Sequence, residues 1–237
     1  MSVWAVVAAG GSGERLGLDR PKAFAPLQGR PLLAEPLERL DASDWIDAIV
    51  VAVPVGWQEP AILLAEEVGA GKVVACVEGG GTRAESVRAA VSEIPADADV
   101  ILVHDAARPV VDDSVVERVL RPLAEGWQGV VPALPLADTV KRVRGDEVLE
   151  TLDRGDLVTV QTPQAFLADM LRTALGGDVA GATDCASLVE AAGGRVRIVP
   201  GDPRLVKVTA PEDLDLVERL LEGLGRERLG RGLGLGL

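Results

Sequence analysis

The segment Ala9-Gly10-Gly11-Ser12-Gly13-Glu14-Arg15 follows the apolar run Val3–Ala8, and Pro21-Lys22 comes soon after. Glycines at the end of a short strand let successive backbone N–H groups converge on an anion, and phosphate can approach closely because no side chain is in the way. Arg15 and Lys22 put two cations on the same loop. Arginine grips two oxygens in a planar fork, and lysine acts as a point charge. The chemistry that needs this set is attack at a phosphorus of a nucleoside triphosphate, where negative charge must be neutralised. An ordinary glycine turn is the alternative. Two commoner motifs do not fit. No Gly-Lys-Ser/Thr closes the loop, as a Walker A sequence requires. Gly11, Gly13 and Gly17 give G-x-G-x-x-x-G, and Pro21 falls where the helix of a dinucleotide fingerprint would run. An oxidoreductase is therefore disfavoured.

Asp105 follows the apolar run 100–103. A carboxylate there is a natural Mg²⁺ ligand for nucleotidyl transfer, and a turn-forming Asp is the alternative. His104, the only histidine, reads as a structural residue at a strand end. Gly79-Gly80-Gly81 with Ser86 offers backbone groups and a hydroxyl suited to a base edge, or simply a tight turn. Thr139 and Asp153-Arg154 flank a segment that breaks the surrounding pattern. Thr183 suits a helix N-cap that could also hold substrate. Lys207, between Val206 and Val208, would be costly to bury without an anionic partner. Lysine is scarce: Lys22, Lys72, Lys141 and Lys207 are the only four among 24 basic residues. Three of the four lie in segments singled out here.

Short β-branched runs alternate with helical patterns. Strands are expected at 3–8, 48–53, 72–76, 100–103 and 129–133. Helices are expected at 31–40, with Pro31 in the first turn, at 58–68, at 83–94, and at 114–124 capped by Asp112 or Asp113. This alternation predicts a mostly parallel α/β sheet covered on both faces, with ligands at the carboxyl ends of the strands. The glycine loop, 78–83 and 104–109 all fall at that edge. Residues 138–161 alternate in polarity around Gly145-Asp146, predicting a β-hairpin arm with little core of its own, stabilised by a partner chain. Beyond it, helices are expected after Pro163 and from Thr183, strands at 197–199 and 205–208, and a last helix from Pro211. Residues 1–225 read as one domain, and 226–237 as a frayed Gly/Leu-rich tail.

The formal net charge is −13, which argues against non-specific nucleic-acid or anionic-membrane binding. No stretch approaches the roughly 18 apolar residues of a membrane span. Cys76 and Cys185 have no disulfide-framework or metal-ligand spacing. With no basic leader visible, a reduced, cytoplasmic setting is expected.

Several segments in order make the chain resemble a known family. They are Ala9-Gly-Gly-Ser-Gly-Glu-Arg-Leu16 with Pro21-Lys22, Val103-His-Asp-Ala-Ala-Arg-Pro109, Asp138-Thr-Val-Lys141, Gln161-Thr-Pro-Gln164, Thr183-Asp184 with Ala186-Ser187, and Lys207-Val-Thr with Pro211-Glu-Asp-Leu214. The chain closely resembles the 2-C-methyl-D-erythritol 4-phosphate cytidylyltransferases of the non-mevalonate isoprenoid pathway. The resemblance implies a Rossmann-like nucleotidyltransferase domain whose β-arm interlocks a homodimer. It implies transfer of CMP from CTP to methylerythritol phosphate with release of pyrophosphate, assisted by Mg²⁺. By the same resemblance, Arg15, Lys22 and Lys207 are catalytic. Ala9, Gly10, Gly11, Ser12, Gly13, Gly80 and Ser86 surround the nucleotide. Asp105, Ala106, Arg108, Thr139, Arg154 and Thr183 hold the acceptor, with Arg154 supplied by the other subunit and Asp105 also at the metal. Gly81 and Cys185 depart from the pattern, standing where acidic or polar residues are common. A related cytidylyltransferase acting on a pentitol or sugar phosphate is the alternative.

Overall fold

The computed structural model describes residues 1–232, without the side chains of Arg15 and of 225–232. In chain order the elements are β1 (Val3–Ala8), a tight hairpin of β2 (Pro26–Leu27) and β3 (Arg30–Pro31), α1 (Ala34–Asp41), β4 (Ala48–Val53), α2 (Gln58–Glu67), β5 (Val73–Glu78), α3 (Arg83–Ser92), β6 (Val100–Asp105), α4 (Asp113–Leu120) and β7 (Gly129–Pro135). They continue with β8 (Val140–Arg144), β9 (Glu147–Leu152), β10 (Val158–Val160), β11 (Gln164–Leu167), α5 (Ala168–Leu175), α6 (Cys185–Ala191), β12 (Val196–Pro200) and α7 (Pro211–Gly232).

The central sheet runs β10-β7-β11-β6-β1-β4-β5, with β12 also paired to β7. Strand β1 lies parallel to β4 and β6, β4 is parallel to β5, and β12 is parallel to β7. Every residue of β4 and β6 is buried, as continuous apolar runs require in a sheet covered on both faces. Alternate side chains feed two cores. Ala5, Val7, Ile49 and Val51 pack with residues of α1, α2 and α4. Val6, Val50 and Ala52 pack with residues of α3, α5 and α6. The period of two along each strand thus sorts one sequence into two layers.

Four expectations need correction. Pro31 does not start a helix. Gln28 and Gly29 both take positive φ, 50° and 80°, and fold Pro26–Pro31 into a hairpin, so α1 starts three residues after Pro31. The segment after Pro163 first forms β11, antiparallel between β6 and β7, with Phe166 fully buried. A four-residue apolar run fits a strand or a helix, and the gap between β6 and β7 decides it. Residues 205–208 form no strand but an irregular strap, tied by the Val208 N–H to the Ala107 carbonyl at 2.8 Å. The N-cap of α6 is Asp184, which accepts from the Ser187 N–H at 3.0 Å, rather than Thr183. Helix α7 runs into the segment read as a frayed tail, and 233–237 lie outside the described residues.

The hairpin β8–β9 pairs only with itself, around Gly145 at φ 58°. Val143, Val148 and Leu149 on it are exposed, as are Val158 and Val160 of β10 and Ile198 of β12. On the other side of the fold, Leu16 of the glycine loop and Val208 of the strap share a small apolar cluster with Val217 and Leu221 of α7.

Candidate active site

The glycine loop turns because Gly13 sits at φ +81°. A Cβ there would lie 2.5 Å from the Arg20 carbonyl oxygen, so only glycine fits. The Lys22 N–H donates to the Gly11 carbonyl at 2.9 Å and closes the loop. That places the Lys22 side chain, 9% exposed, beneath Gly11, where its Nζ donates to the Val208 carbonyl at 3.1 Å. Opposite, Thr82 and Glu85 form a reciprocal capping box at the start of α3. Gly80, Gly81, Thr82 and Arg83 at that helix start line the same space as Lys22, and a helix start suits an anion.

Asp105 ends β6. Its Oδ1 accepts from Arg83 Nε at 2.8 Å and its Oδ2 from Lys207 Nζ at 2.7 Å. The Asp105 N–H donates to Thr162 Oγ1 at 3.0 Å, which leaves the Thr162 hydroxyl to donate to His104 Nδ1 at 3.2 Å. His104 Nε2 then donates to the Arg108 carbonyl at 3.0 Å, a neutral ring with both nitrogens used. Burial pushes the His104 pKa down to about 4. The histidine thus orders the strand end, as its position in the sequence suggests. Burial alone would raise the Asp105 pKa, but Arg83 and Lys207 outweigh it and hold the carboxyl well below the usual range. Burial opposes the Arg83 charge too, and the Asp105 carboxylate, with the hydrogen bonds to Asp105 and to the Cys185 sulfur, more than offsets it. Burial also raises the Cys185 thiol, which lies 3.5 Å from Arg83 Nη1.

Two cavities meet at this ion cluster. One, of about 230 Å³, is lined by Ala9, Gly10, Gly11, Lys22, Gly80, Ser86 and Ala106 among others. The other, of about 490 Å³, is lined by Arg108, Gln164, Thr183 and Asp184 among others. Arg83, Asp105 and Lys207 line both. Three buried side-chain polar atoms among the described residues lack a hydrogen-bond partner: Arg83 Nη2, Arg108 Nε and Gln164 Oε1. All three residues line the second cavity, with these unpartnered atoms buried behind its surface.

The fold therefore brings together most of the residues expected from sequence. Ser12 and Gly13 shape the loop but line neither cavity, and the Arg15 side chain lies outside the described residues. Thr139 and Arg154 line neither cavity, and the Arg154 guanidinium bonds the Ala137 carbonyl within its own arm. Arg83 was missed as a site residue. The signal was its place just after Gly79-Gly80-Gly81-Thr82, at the first turn of a helix facing the carboxyl edge. Thr162 and Gln164 carry no spacing that would mark them. No group of three His, Cys, Asp or Glu side chains that could cage a metal occurs among the described residues.

A family model described as 2-C-methyl-D-erythritol 4-phosphate cytidylyltransferase matches residues 3–223. The chain belongs to that family. It is 46% identical over 222 residues to the Nocardia farcinica enzyme of that name, covering 93% of this chain and 94% of the relative. The Saccharopolyspora erythraea enzyme of the same name is 45% identical over 227 residues, covering 93% and 100%. The crystal structure of the 2-C-methyl-D-erythritol 4-phosphate cytidylyltransferase from Thermus thermophilus superposes with a TM-score of 0.74 at 33% identity, covering 93% of this chain and 98% of that one. The chain is thus a nucleotidyltransferase on the family's α/β fold, with the mostly parallel sheet expected from sequence.

Proposed function

We propose that the protein transfers CMP from CTP to 2-C-methyl-D-erythritol 4-phosphate, releasing pyrophosphate. One observation carries the division of labour: two cavities share a single wall made of Arg83, Asp105 and Lys207. The glycine-lined cavity takes CTP, with loop and α3 N–H groups toward phosphate and Ser86 near the base. The second cavity takes the acceptor, with Arg108 and Thr183 on its wall. An acceptor phosphate oxygen attacks the α-phosphorus in line, the bond to the β-phosphate oxygen breaks, and pyrophosphate leaves. The acceptor phosphate is already an anion, so no general base is needed, in keeping with a neutral His104 that is fully engaged. Lys22 and Arg15 balance charge on the triphosphate. Lys207 exchanges Asp105 for the reacting phosphates as charge gathers there.

Asp105 is the one carboxylate on the shared wall, and it stays ionised. A single protein carboxylate fits Mg²⁺ held mainly by substrate phosphates and water, and not a metal held in an all-protein cage. Bound there, the ion would supply charge neutralisation at the phosphates. The apolar exposed arm supports a homodimer in which the partner subunit's Arg154 reaches the second cavity. Pyrophosphate release tests the reading, using CTP and methylerythritol phosphate against panels of other triphosphates and phosphorylated polyols, with Mg²⁺ or with EDTA. Release only with the named pair and Mg²⁺ is expected. Release with a pentitol or sugar phosphate instead would move the acceptor assignment. Full activity in excess EDTA would remove the metal role of Asp105.

A further inference from the structure

Both lysines that line the nucleotide cavity depend on one irregular segment. Lys207 projects from the strap at 205–210, and Lys22 donates to the strap's Val208 carbonyl at 3.1 Å. The strap has no ladder to hold it. Its near end is fixed by the buried Leu205, whose carbonyl accepts from Arg108 Nη1 at 2.6 Å, and its middle by the Val208 N–H to the Ala107 carbonyl and the buried Val208 side chain. Its far end is gripped by Asp213. Asp213 Oδ2 accepts from the Thr209 N–H at 2.7 Å, the Thr209 hydroxyl at 2.7 Å and the Ala210 N–H at 2.8 Å. This is the reach-back half of a capping box, with Ala210 in the N-cap position and unable to supply the other half. One carboxylate oxygen therefore orders the turn directly after Val208. The grip is charge-assisted: burial alone would raise the Asp213 pKa, but the Thr209 and Ala210 bonds and nearby Lys22 hold it below the usual range.

We infer that Asp213 is a positioning residue for the nucleotidyl transfer, setting through the strap the places of both Lys207 and Lys22. The inference rests on the function proposed above, but half of its test does not. Misplacing a charge by about 1 Å is enough to cost on the order of 100-fold in rate. Asp213 touches neither lysine's target, so nucleotide affinity should change far less than turnover.

The test compares the parent with Asp213→Ala and Asp213→Asn in the full chain. Only four lysines occur, so lysine-selective ¹³C labelling gives four resolvable ε-methylene signals. Lys72, whose Nζ donates to the Ser43 carbonyl at 2.7 Å, is the internal control for folding. In Asp213→Ala the Lys22 and Lys207 signals are expected to shift and broaden while that of Lys72 stays. The kcat should fall about 10- to 100-fold, with KM for CTP within about threefold. Asp213→Asn keeps an acceptor oxygen and should recover part of the rate. Unmoved Lys22 and Lys207 signals, or a kcat within twofold of the parent, overturn the inference. If Asp213→Ala also loses the Lys72 signal, Asp213→Asn decides in the same terms. A parent inactive on CTP and methylerythritol phosphate would instead overturn the proposed function, and the signals would still report on the brace.

Discussion

Lys22→Ala removes the cation beneath the glycine loop, and Lys207→Ala leaves Asp105 paired with Arg83 alone. Each should lower turnover by about 100- to 1,000-fold, the scale of a lost transition-state contact. Steady-state rates, with circular dichroism to show an intact fold, check this. Unchanged turnover in both variants would sink the mechanism. His104 makes a separate prediction about acid stability. Its ordinary pKa of 6.5 falls to about 4 in the fold. Between those values the unfolded chain takes up a proton that the folded chain refuses, so stability declines as pH drops. The slope reaches at most about 1.4 kcal/mol per pH unit. Urea midpoints from pH 7 to 4.5 should show this decline, and His104→Gln should flatten it. An unchanged slope in the variant would place the lost proton elsewhere. At this scale the sequence was informative where residue type and edge position coincide, as for Lys22, Asp105 and Lys207. It marked Thr162 and Gln164 only as part of the segment 161–164 and gave them no role, since their contacts arise only when β11 folds back beside β6. It also called for an anionic partner for Lys207, and in the fold Asp105 fills that place.

The loop Gly79–Gly81 shows how closely a helix start can approach a strand end. A Cβ on Gly80 would lie 2.3 Å from Glu85 Cβ, inside the capping box, whereas one on Gly81 meets only Glu85 Oε2 at 3.4 Å. Gly80→Ala should therefore destabilise by about 1–3 kcal/mol and raise KM for CTP, while Gly81→Ala should stay within about 0.5 kcal/mol. Denaturant unfolding and CTP titration separate the two, and equal effects would mean that α3 shifts freely. Continuous apolar runs and helical periodicity made most strands and helices legible. Three departures have physical causes. The Gln28-Gly29 turn diverted Pro31, tertiary pairing drew 164–167 into the sheet, and one backbone bond with side-chain bonds, rather than a ladder, holds the segment around Val208.

For the whole molecule, a hairpin whose strands pair only with each other while exposing Val143, Val148 and Leu149 is expected to close against a second copy. Sedimentation at micromolar concentration should show a dimer. A sharper check mixes two inactive variants, Lys22→Ala and Arg154→Ala. If each site draws Arg154 from the partner subunit, every mixed dimer regains one intact site. Random exchange then restores about a quarter of parental activity, following the two-fold symmetry of such an assembly. No recovery after verified exchange would confine each site to one chain. The arm's pattern was visible in the sequence, but a contact with a second copy would be a property of the pair that no single chain displays. The wall of Arg83, Asp105 and Lys207 also bears on inhibitor design. On the proposed assignment, a compound filling only the glycine-lined cavity would compete with nucleotide, and one filling only the other would compete with acceptor. A compound spanning both must cross an ion cluster, so its linker needs an anionic group at the crossing to replace the contact that Lys207 gives up. A neutral linker of the same length would leave Lys207 on Asp105 and gain no charge contact at the crossing.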